Sequence, residues 1–340
     1  MQRALYLAAL GGKAVRPNPL VGAVLVHNDT IIGEGFHRQY GGPHAEVNAV
    51  NAVADKDLLP QSTLYVTLEP CNHFGKTPPC TELIINKGIK NVIVAVCDPN
   101  PLVSGSGIQR LESAGIKVKS GLLASEAMWQ NRVFFCAQQK KRPFIILKWA
   151  QSKEGNMATA DRKPVWLSNK YSRKLVHKWR SDEDAIMVGP GTLLYDNPRL
   201  TNRDWPGSNP IRVSYSLRPV DLEIKSKALQ FFNDEAKSIF YHTDTISDLD
   251  EDFVQLNKQT FFQSIFEHLY QQGVQSVIIE GGAGLFHHLI AQNLWDEARV
   301  FITEAALVKG LAAPRLNANV KEEMLIAGDR LMLYTNPAAL

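Results

Sequence analysis

His44-Ala45-Glu46, then Pro70-Cys71, then Cys80, is the stretch whose reading decides the first half of the chain. One imidazole and two thiolates are borderline-soft ligands that suit Zn²⁺. Three protein ligands leave the fourth tetrahedral position open for water, which is the arrangement of a catalytic rather than a structural zinc. Glu46 stands two residues after His44, close enough to face that water without being a ligand. A water of lowered pKa beside a carboxylate supplies a nucleophile and a proton shuttle, the pairing used in hydrolytic deamination of a nucleobase ring. The competing reading is a structural zinc or buried thiols. A structural site normally takes a fourth protein ligand, and the nearest candidates, His73 and Cys97, do not sit at finger spacing. Gly75-Lys76-Thr77 is not a nucleotide-phosphate loop, because Pro70 stands where its first glycine should be.

The spacing departs from the usual zinc deaminase, which has two residues between its cysteines. Here eight, Asn72 to Pro79, separate Cys71 from Cys80, and they bring His73 and Lys76 within reach of an anionic group beside the metal. With Arg16-Pro17-Asn18-Pro19-Leu20-Val21-Gly22 upstream and Asp98-Pro99-Asn100-Pro101 downstream, the pattern resembles the RibD family of riboflavin-pathway pyrimidine deaminases. The second half resembles the reductase domain of the same family. Its matching motifs are Lys148-x-Ala150-x-Ser152-x-Glu154-Gly155, Trp166-Leu167-Ser168 and Asp184-Ala185-Ile186-Met187-Val188-Gly189, followed by Thr192, Asp196-Asn197-Pro198-Arg199-Leu200-Thr201 with Arg203, and Glu280-Gly281-Gly282. The resemblance covers roughly residues 3 to 310 and weakens through 205 to 275.

At 340 residues the chain is long for one domain, and two are the natural expectation. Apolar residues make up 45% of it, enough for two cores. A net charge of +3 is too small to argue for nucleic acid, whose binders concentrate basic residues in stripes. A nucleic-acid deaminase or RNA-binding module would also want basic and aromatic residues around the pocket, and the insert offers mainly His73, Phe74 and Lys76. Four cysteines, two of them taken by zinc, make no disulfide framework and fit a reducing cytoplasm. Cys97 and Cys136 read as small buried hydrophobes. Residues 4 to 10 are apolar, but Gly11-Gly12-Lys13 is a poor cleavage site, so the segment reads as the first helix. No stretch is long and apolar enough to span a membrane. Oligomeric state is not legible, and a homo-oligomer stays open.

Leu20 to Val26 and Thr30 to Phe36 read as a hairpin turning at His27-Asn28-Asp29. A helix starts near His44 with the apolar stripe Val47, Ala49, Val50 and Val53. Strands follow at Thr63 to Leu68, Val92 to Val96 and Ile116 to Val118, with helices at Cys80 to Asn86, Ile108 to Ser113 and Ser125 to Gln138. The boundary falls at Gln139 to Pro143, and the second half restarts with the strand Phe144 to Trp149. Val277-Ile278-Ile279-Glu280 is a buried strand feeding Gly281-Gly282-Ala283-Gly284 and a helix. Such a turn lets backbone amides approach a phosphate, although its spacing is not the dinucleotide fingerprint and a purely structural turn competes.

The resemblance implies an α/β fold in both halves: a cytidine-deaminase-like α/β/α layer domain over residues 1–141, then a dihydrofolate-reductase-like α/β domain over 142–340 that binds NADPH. It implies two successive reactions on a phosphoribosyl pyrimidine. In the first, Zn²⁺ held by His44, Cys71 and Cys80 activates water against C2 of a 2,5-diaminopyrimidinone. Glu46 moves the protons, and Asn18, His37, His73, Lys76, Asp98 and Asn100 orient substrate. In the second, NADPH gives hydride to ribose C1′ and the sugar opens to a ribityl chain. Asp196 and Glu280 match positions near the reacting sugar and cofactor, while Arg180 and Arg203 match positions suited to the substrate phosphate. Lys148, Ala150, Trp166, Ser168, Thr192, Leu200 and Gly281 fall on matched cofactor or substrate positions. Blander readings make Arg180 the end of a solvated helix and Trp166 a core residue. One departure is Glu154, where the family usually has Asp; its extra methylene shifts a carboxylate by about a bond length. That keeps open a monofunctional deaminase whose second domain only binds substrate.

Overall fold

The computed structural model describes residues 1–74, 78–100, 104–161, 165–217, 229–243 and 252–338. They form two compact units, Met1–Lys141 and Arg142–Leu340.

In the first unit, β1 (Gly22–His27) and β2 (Thr30–Phe36) make an antiparallel hairpin. Asn28 and Asp29 both take positive φ at its turn, a conformation these two residue types tolerate. β3 (Thr63–Leu68) pairs antiparallel with β1, and β4 (Asn91–Val96) and β5 (Lys117–Ser120) continue in parallel, giving the order β2-β1-β3-β4-β5. The helices are α1 (Gln2–Ala9), α2 (Ala45–Ala52), α3 (Cys80–Asn86), α4 (Ser106–Ser113), α5 (Ala124–Gln130) and α6 (Arg132–Lys140). Leu25, Leu64, Val66, Val92 and Val94 of the sheet pack with Ala49 and Val50 of α2, Ile84 of α3 and Leu111 of α4. Ala4 and Leu7 of α1 pack with Val24 in a separate cluster. Alternate residues of β1 therefore serve two helical layers, as strand pleating requires. Gly35 sets the position of α2: a Cβ there would lie 2.4 Å from the Ala49 backbone nitrogen. The side-chain-free strand lets the helix lie close, and so fixes His44 and Glu46 at its start.

The single helix expected over Ser125 to Gln138 is two, α5 and α6, divided at Asn131. The reason is tertiary. Asn131 is buried and its side-chain amide grips both polar groups of Leu20, accepting from the N–H at 2.8 Å and donating to the carbonyl at 2.9 Å. Periodicity in the sequence does not carry such a contact.

In the second unit the described strands form a mixed sheet in the order β11-β10-β9-β8-β12-β6-β13-β16-β15. They are β6 (Phe144–Ser152), β8 (Ala185–Val188), β9 (Ile211–Ser216), β10 (Ser238–His242), β11 (Phe253–Gln255), β12 (Ser276–Gly281), β13 (Glu297–Thr303), β15 (Val320–Ile326) and β16 (Asp329–Thr335). All pair in parallel except the last two, which add an antiparallel edge. A separate pair joins β7 (Asn156–Thr159) and β14 (Gly310–Ala312). The described helices of the unit are α7 (Lys170–Asp182), α8 (Pro190–Asp196), α9 (Phe261–Gln271) and α10 (Ala283–Ala291). Apolar runs such as Phe144 to Leu147 and Val277 to Ile279 are buried, which is why they read as unbroken rather than alternating strands. Ile145, Leu147, Val277 and Ile279 pack with Ile265 and Leu269 of α9 and Phe286 and Leu289 of α10.

Candidate active sites

Three chain turns bring the first site together. His44 is the N-cap of α2, Cys71 follows the end of β3 through Glu69-Pro70, and Cys80 opens α3 behind Pro79. Their ligand atoms all lie within 4.8 Å of one another. His44 Nδ1 is 3.5 Å from Cys71 Sγ and 3.3 Å from Cys80 Sγ, and the Cys80 N–H donates to Cys71 Sγ at 3.3 Å. Zinc bonds of ordinary length at the tetrahedral angle would put such N and S atoms about 3.6 Å apart, so the donor set and its spacing fit Zn²⁺. Hydrogen bonding between the two thiols raises Cys80 and lowers Cys71, and His44 adds to the lowering of Cys71. At Cys71 that favours the thiolate a metal requires. Glu46 is buried, and its carboxyl is pushed up to about 7, first by burial and then by the charge on Cys71.

The expected substrate-orienting residues divide into two groups. Asn18 Nδ2 lies 3.0 Å from His37 Nε2, and His37 Nδ1 lies 3.0 Å from the Pro43 carbonyl. A carbonyl only accepts, so Nδ1 carries the proton and Nε2 accepts from Asn18. The His37 ring stands edge-on to His44 with centroids 5.5 Å apart. Asp98 and Asn100 lie beyond β4, where the Asn100 N–H donates to Asp98 Oδ1 at 2.8 Å. Burial raises the Asp98 carboxyl, and the nearby His73 opposes that shift. Lys76 lies outside the described residues. Sequence reasoning missed Glu69. Its buried carboxylate accepts from the N–H groups of Asp98, Gly105, Gly107 and Ile108 at 2.8 to 3.3 Å, holding the loop that carries Asp98. Nothing in the pattern marks an acid before Pro-Cys as a loop anchor.

The second site is a cleft of about 1120 Å³ at the carboxyl ends of β6, β8, β9 and β12, where open α/β sheets place ligands. Lys148, Ala150, Trp166, Ser168, Arg180, Thr192, Asp196, Leu200, Arg203, Glu280 and Gly281 all line it. Gly281 is required by close approach, since a Cβ there would meet Thr192 Oγ1 at 2.8 Å. Arg180 Nε and Nη2 fork onto the two Glu280 oxygens at 2.8 and 2.9 Å, and Nη1 donates to the Thr201 carbonyl at 3.0 Å. The guanidinium is thus engaged by Glu280 and Thr201 at the cleft wall, and Arg180 is no solvated helix end. Lys148 Nζ adds a second cation 3.5 Å from Glu280. Burial alone would raise the Glu280 carboxyl, but Arg180 and then Lys148 hold it down at about 2. Burial lowers Lys148 against the attraction of Glu280. Arg203 is held by its backbone, whose N–H donates to His177 Nδ1 at 3.1 Å, and by its Nη1 on Thr201 Oγ1 at 3.2 Å. Asp196 closes α8 at the cleft wall, its carboxyl raised by burial. Trp166 is 80% exposed with Arg173 over its ring, so it is not core. Glu154 does not line the cleft; its exposed carboxylate accepts from the Leu307 N–H at 3.2 Å. Trp149, His177, Tyr195 and Tyr215 also line it and were not singled out, because each sits inside an ordinary helix or strand pattern.

A zinc-type triad over a buried acid and, in a second unit, a strand-end cleft with an amide-rich turn define a deaminase joined to a reductase. Comparison with known proteins gives the same two parts. Residues 1–96 match the cytidine and deoxycytidylate deaminase zinc-binding region, and residues 143–316 match the RibD C-terminal domain. The riboflavin biosynthesis protein RibD of Aquifex aeolicus is 38% identical over 96% of this chain and 92% of its own length. That of Synechocystis is 39% identical over 92% and 86%. The crystal structure of a diaminohydroxyphosphoribosylaminopyrimidine deaminase/5-amino-6-(5-phosphoribosylamino)uracil reductase from Thermotoga maritima superposes with a TM-score of 0.87 at 36% identity, covering 98% of this chain and 97% of that one. The chain belongs to the RibD family. It is a bifunctional enzyme with a zinc-binding deaminase domain and a reductase domain that uses NADPH. Among the described residues, no helix is long and apolar enough to cross a membrane.

Proposed function

We propose that residues 1–141 deaminate 2,5-diamino-6-(5-phosphoribosylamino)pyrimidin-4(3H)-one to 5-amino-6-(5-phosphoribosylamino)uracil, and that residues 142–340 then reduce its ribose to a ribityl chain with NADPH. The observation that carries this reading is the His44–Cys71–Cys80 triad with Glu46 buried against it, in a chain whose Thermotoga maritima relative is named for both reactions. The four cysteines are free, which favours a reducing, cytoplasmic setting.

In deamination, zinc on the triad supplies Lewis-acid activation of water at the ring carbon. Glu46 takes the proton that water gives up and delivers it to the ring nitrogen, and a second proton follows to the amine as ammonia leaves. The net change is one C–N bond broken and one C=O formed. His37, fixed by Pro43 and Asn18, and Asp98, fixed through Glu69, hold the pyrimidine so that C2 faces the acid.

In reduction, NADPH bound against the 281–284 turn supplies the hydride. The turn fits such a cofactor because nothing lies within 4 Å of a Cβ built on Gly284, and the helix behind it presents free amides. Lys148 keeps a buried positive charge at the cleft, Arg203 offers the substrate phosphate a cation, and Asp196 faces the reacting sugar. The case for a merely binding second domain rested on Glu154, and that carboxylate lies away from the cleft.

The test follows the diamino substrate by mass with and without NADPH. Loss of the amine without cofactor, then gain of two hydrogens with it, is expected. A Glu46→Gln protein should keep about one zinc and release no ammonia, since the amide is isosteric but cannot take up and pass on a proton. Loss of zinc from that variant would remove Glu46 from the proton-shuttle role.

A further inference from the structure

Tyr215 stands in β9, one strand from β8, whose register pairs Met187 with Val213 and so brings Tyr215 beside Gly189. The residue is 7% exposed and lines the second cleft. Its ring is clamped edge-on by Phe261 and Phe262, with centroids 5.9 and 5.1 Å away. The hydroxyl lies 3.9 Å from where a Cβ on Gly189 would sit, and a Cβ on Gly282 would fall 3.9 Å from Gly189 Cα. The phenol, Gly189 and the N-cap of α10 therefore share one small neighbourhood. Among the described residues the hydroxyl has no hydrogen-bond partner, although a buried phenol ordinarily finds one. Burial pushes the group up to about 12, so it is a proton donor at neutral pH.

The turn at Gly282 offers further donors. The first intrahelical bond of α10 runs from Phe286 N–H to the Gly282 carbonyl, which leaves the N–H groups of Ala283, Gly284 and Leu285 without intrahelical acceptors. At Gly284 nothing lies within 4 Å of a built Cβ, so the backbone there is open to a ligand. An unpartnered O–H open to the cleft, beside a row of free N–H groups at a helix N-terminus, calls for an acceptor with several oxygens.

We propose that Tyr215 is a cofactor-binding residue whose phenol donates to the diphosphate of NADPH as that group lies on the 282–285 amides. The assignment rests on the NADPH reading of this cleft. A packing role alone does not need the oxygen, because phenylalanine would fill the same space between Phe261 and Phe262.

The test uses the full-length zinc-loaded protein and Tyr215→Phe, which removes one oxygen from the protein. Binding is measured by calorimetry for NADPH, for 2′-phospho-ADP-ribose, which keeps the diphosphate but lacks nicotinamide, and for adenosine 2′-monophosphate, which lacks the diphosphate. Losing one hydrogen bond to a charged group should weaken the first two by about tenfold and leave the third unchanged. Ammonia release and the melting curve of the free protein should match wild type. Tyr215→Phe binding NADPH within about twofold of a wild type that does bind it would overturn the assignment alone. An equal loss for adenosine 2′-monophosphate would also overturn it, because the defect would not be at the diphosphate. A wild type that retains neither NADPH nor 2′-phospho-ADP-ribose would overturn the cofactor reading and this contact with it.

Discussion

The two sites of this chain are built on opposite plans. The first is small and defined by element chemistry: three soft donors within 4.8 Å and one buried acid, drawn from two helix starts and one strand end. Among the described residues no fourth His, Cys, Asp or Glu joins this group to replace a lost ligand. The second is a cleft of about 1120 Å³ whose walls come from residues scattered between Lys148 and Leu311, held by an internal ion network and by glycines that make room. Its function is spread over many contacts, each worth a modest amount. The difference teaches where each half is fragile: the metal site should fail at one atom, and the cleft by degrees.

The largest effect is therefore expected at Cys80. Cys80→Ala leaves two zinc ligands, and metal and deamination should both be lost while reduction of supplied 5-amino-6-(5-phosphoribosylamino)uracil continues. Metal analysis beside ammonia and NADPH assays reads this out. Full deamination in a metal-free preparation would break the comparison at its stronger end. Next comes Asp196→Ala, which takes one carboxylate from the cleft wall. Reduction should fall by about a hundredfold, the scale of a misplaced reacting group, while ammonia release is unchanged. If the variant lost both reactions while still folded, the two units would not be working independently.

These sites were not equally legible. The metal triad was readable because ligand identity and spacing are properties of the sequence itself. Its hairpin was equally plain, since Asn28-Asp29 is a turn by residue type. Glu69 was not readable: the backbone N–H groups of Asp98, Gly105, Gly107 and Ile108 converge on it only in the folded chain. Asn131 escaped for the same reason, its role being a grip on Leu20 far away in sequence. In the second unit, family motifs named residues that do line one cleft, but their partnerships were invisible. Arg180 matched a family position suited to the substrate phosphate, and only the fold shows Glu280 in its fork.

That ion network gives a pH dependence of intermediate size. Glu280 titrates at about 2 in the folded protein, below its ordinary 4.5, because Arg180 and Lys148 outweigh its burial. A depressed carboxylate contributes stability above the unfolded value, and that contribution drains away as pH falls from about 4.5 towards 2. The shift corresponds to roughly 3 kcal/mol. In melts of the full chain, the transition that NADPH raises should fall steeply over that window. Glu280→Gln leaves two buried cations without their counter-charge, so it should be less stable by about 3–5 kcal/mol at pH 6 and should converge on wild type in acid. Parallel curves for the two proteins would mean that the network does not carry the acid sensitivity.

The smallest effect is expected where the sequence raised the sharpest concern. Glu154 carries one methylene more than the aspartate usual in the family, and a carboxylate displaced by a bond length inside a tuned site would cost activity. Its surroundings remove that cost. The backbone N–H of Glu154 is held by Ser152 Oγ at 3.2 Å, and its carboxylate accepts from the Leu307 N–H at 3.2 Å. The group thus ties the 152–155 turn to the segment before β14, outside the cleft wall. Hydrogen bonding to Ser152 and to the Leu307 backbone lowers its pKa, as such donors do for the charged form. Shortening it to aspartate weakens one exposed contact and moves no cleft residue. Glu154→Asp should accordingly leave NADPH-dependent turnover within about twofold of wild type and the melting curve unchanged, as ordinary surface substitutions do. A several-fold gain in turnover would show instead that this carboxylate reaches the reacting centre, and that the cleft, like the metal site, can fail at a single atom.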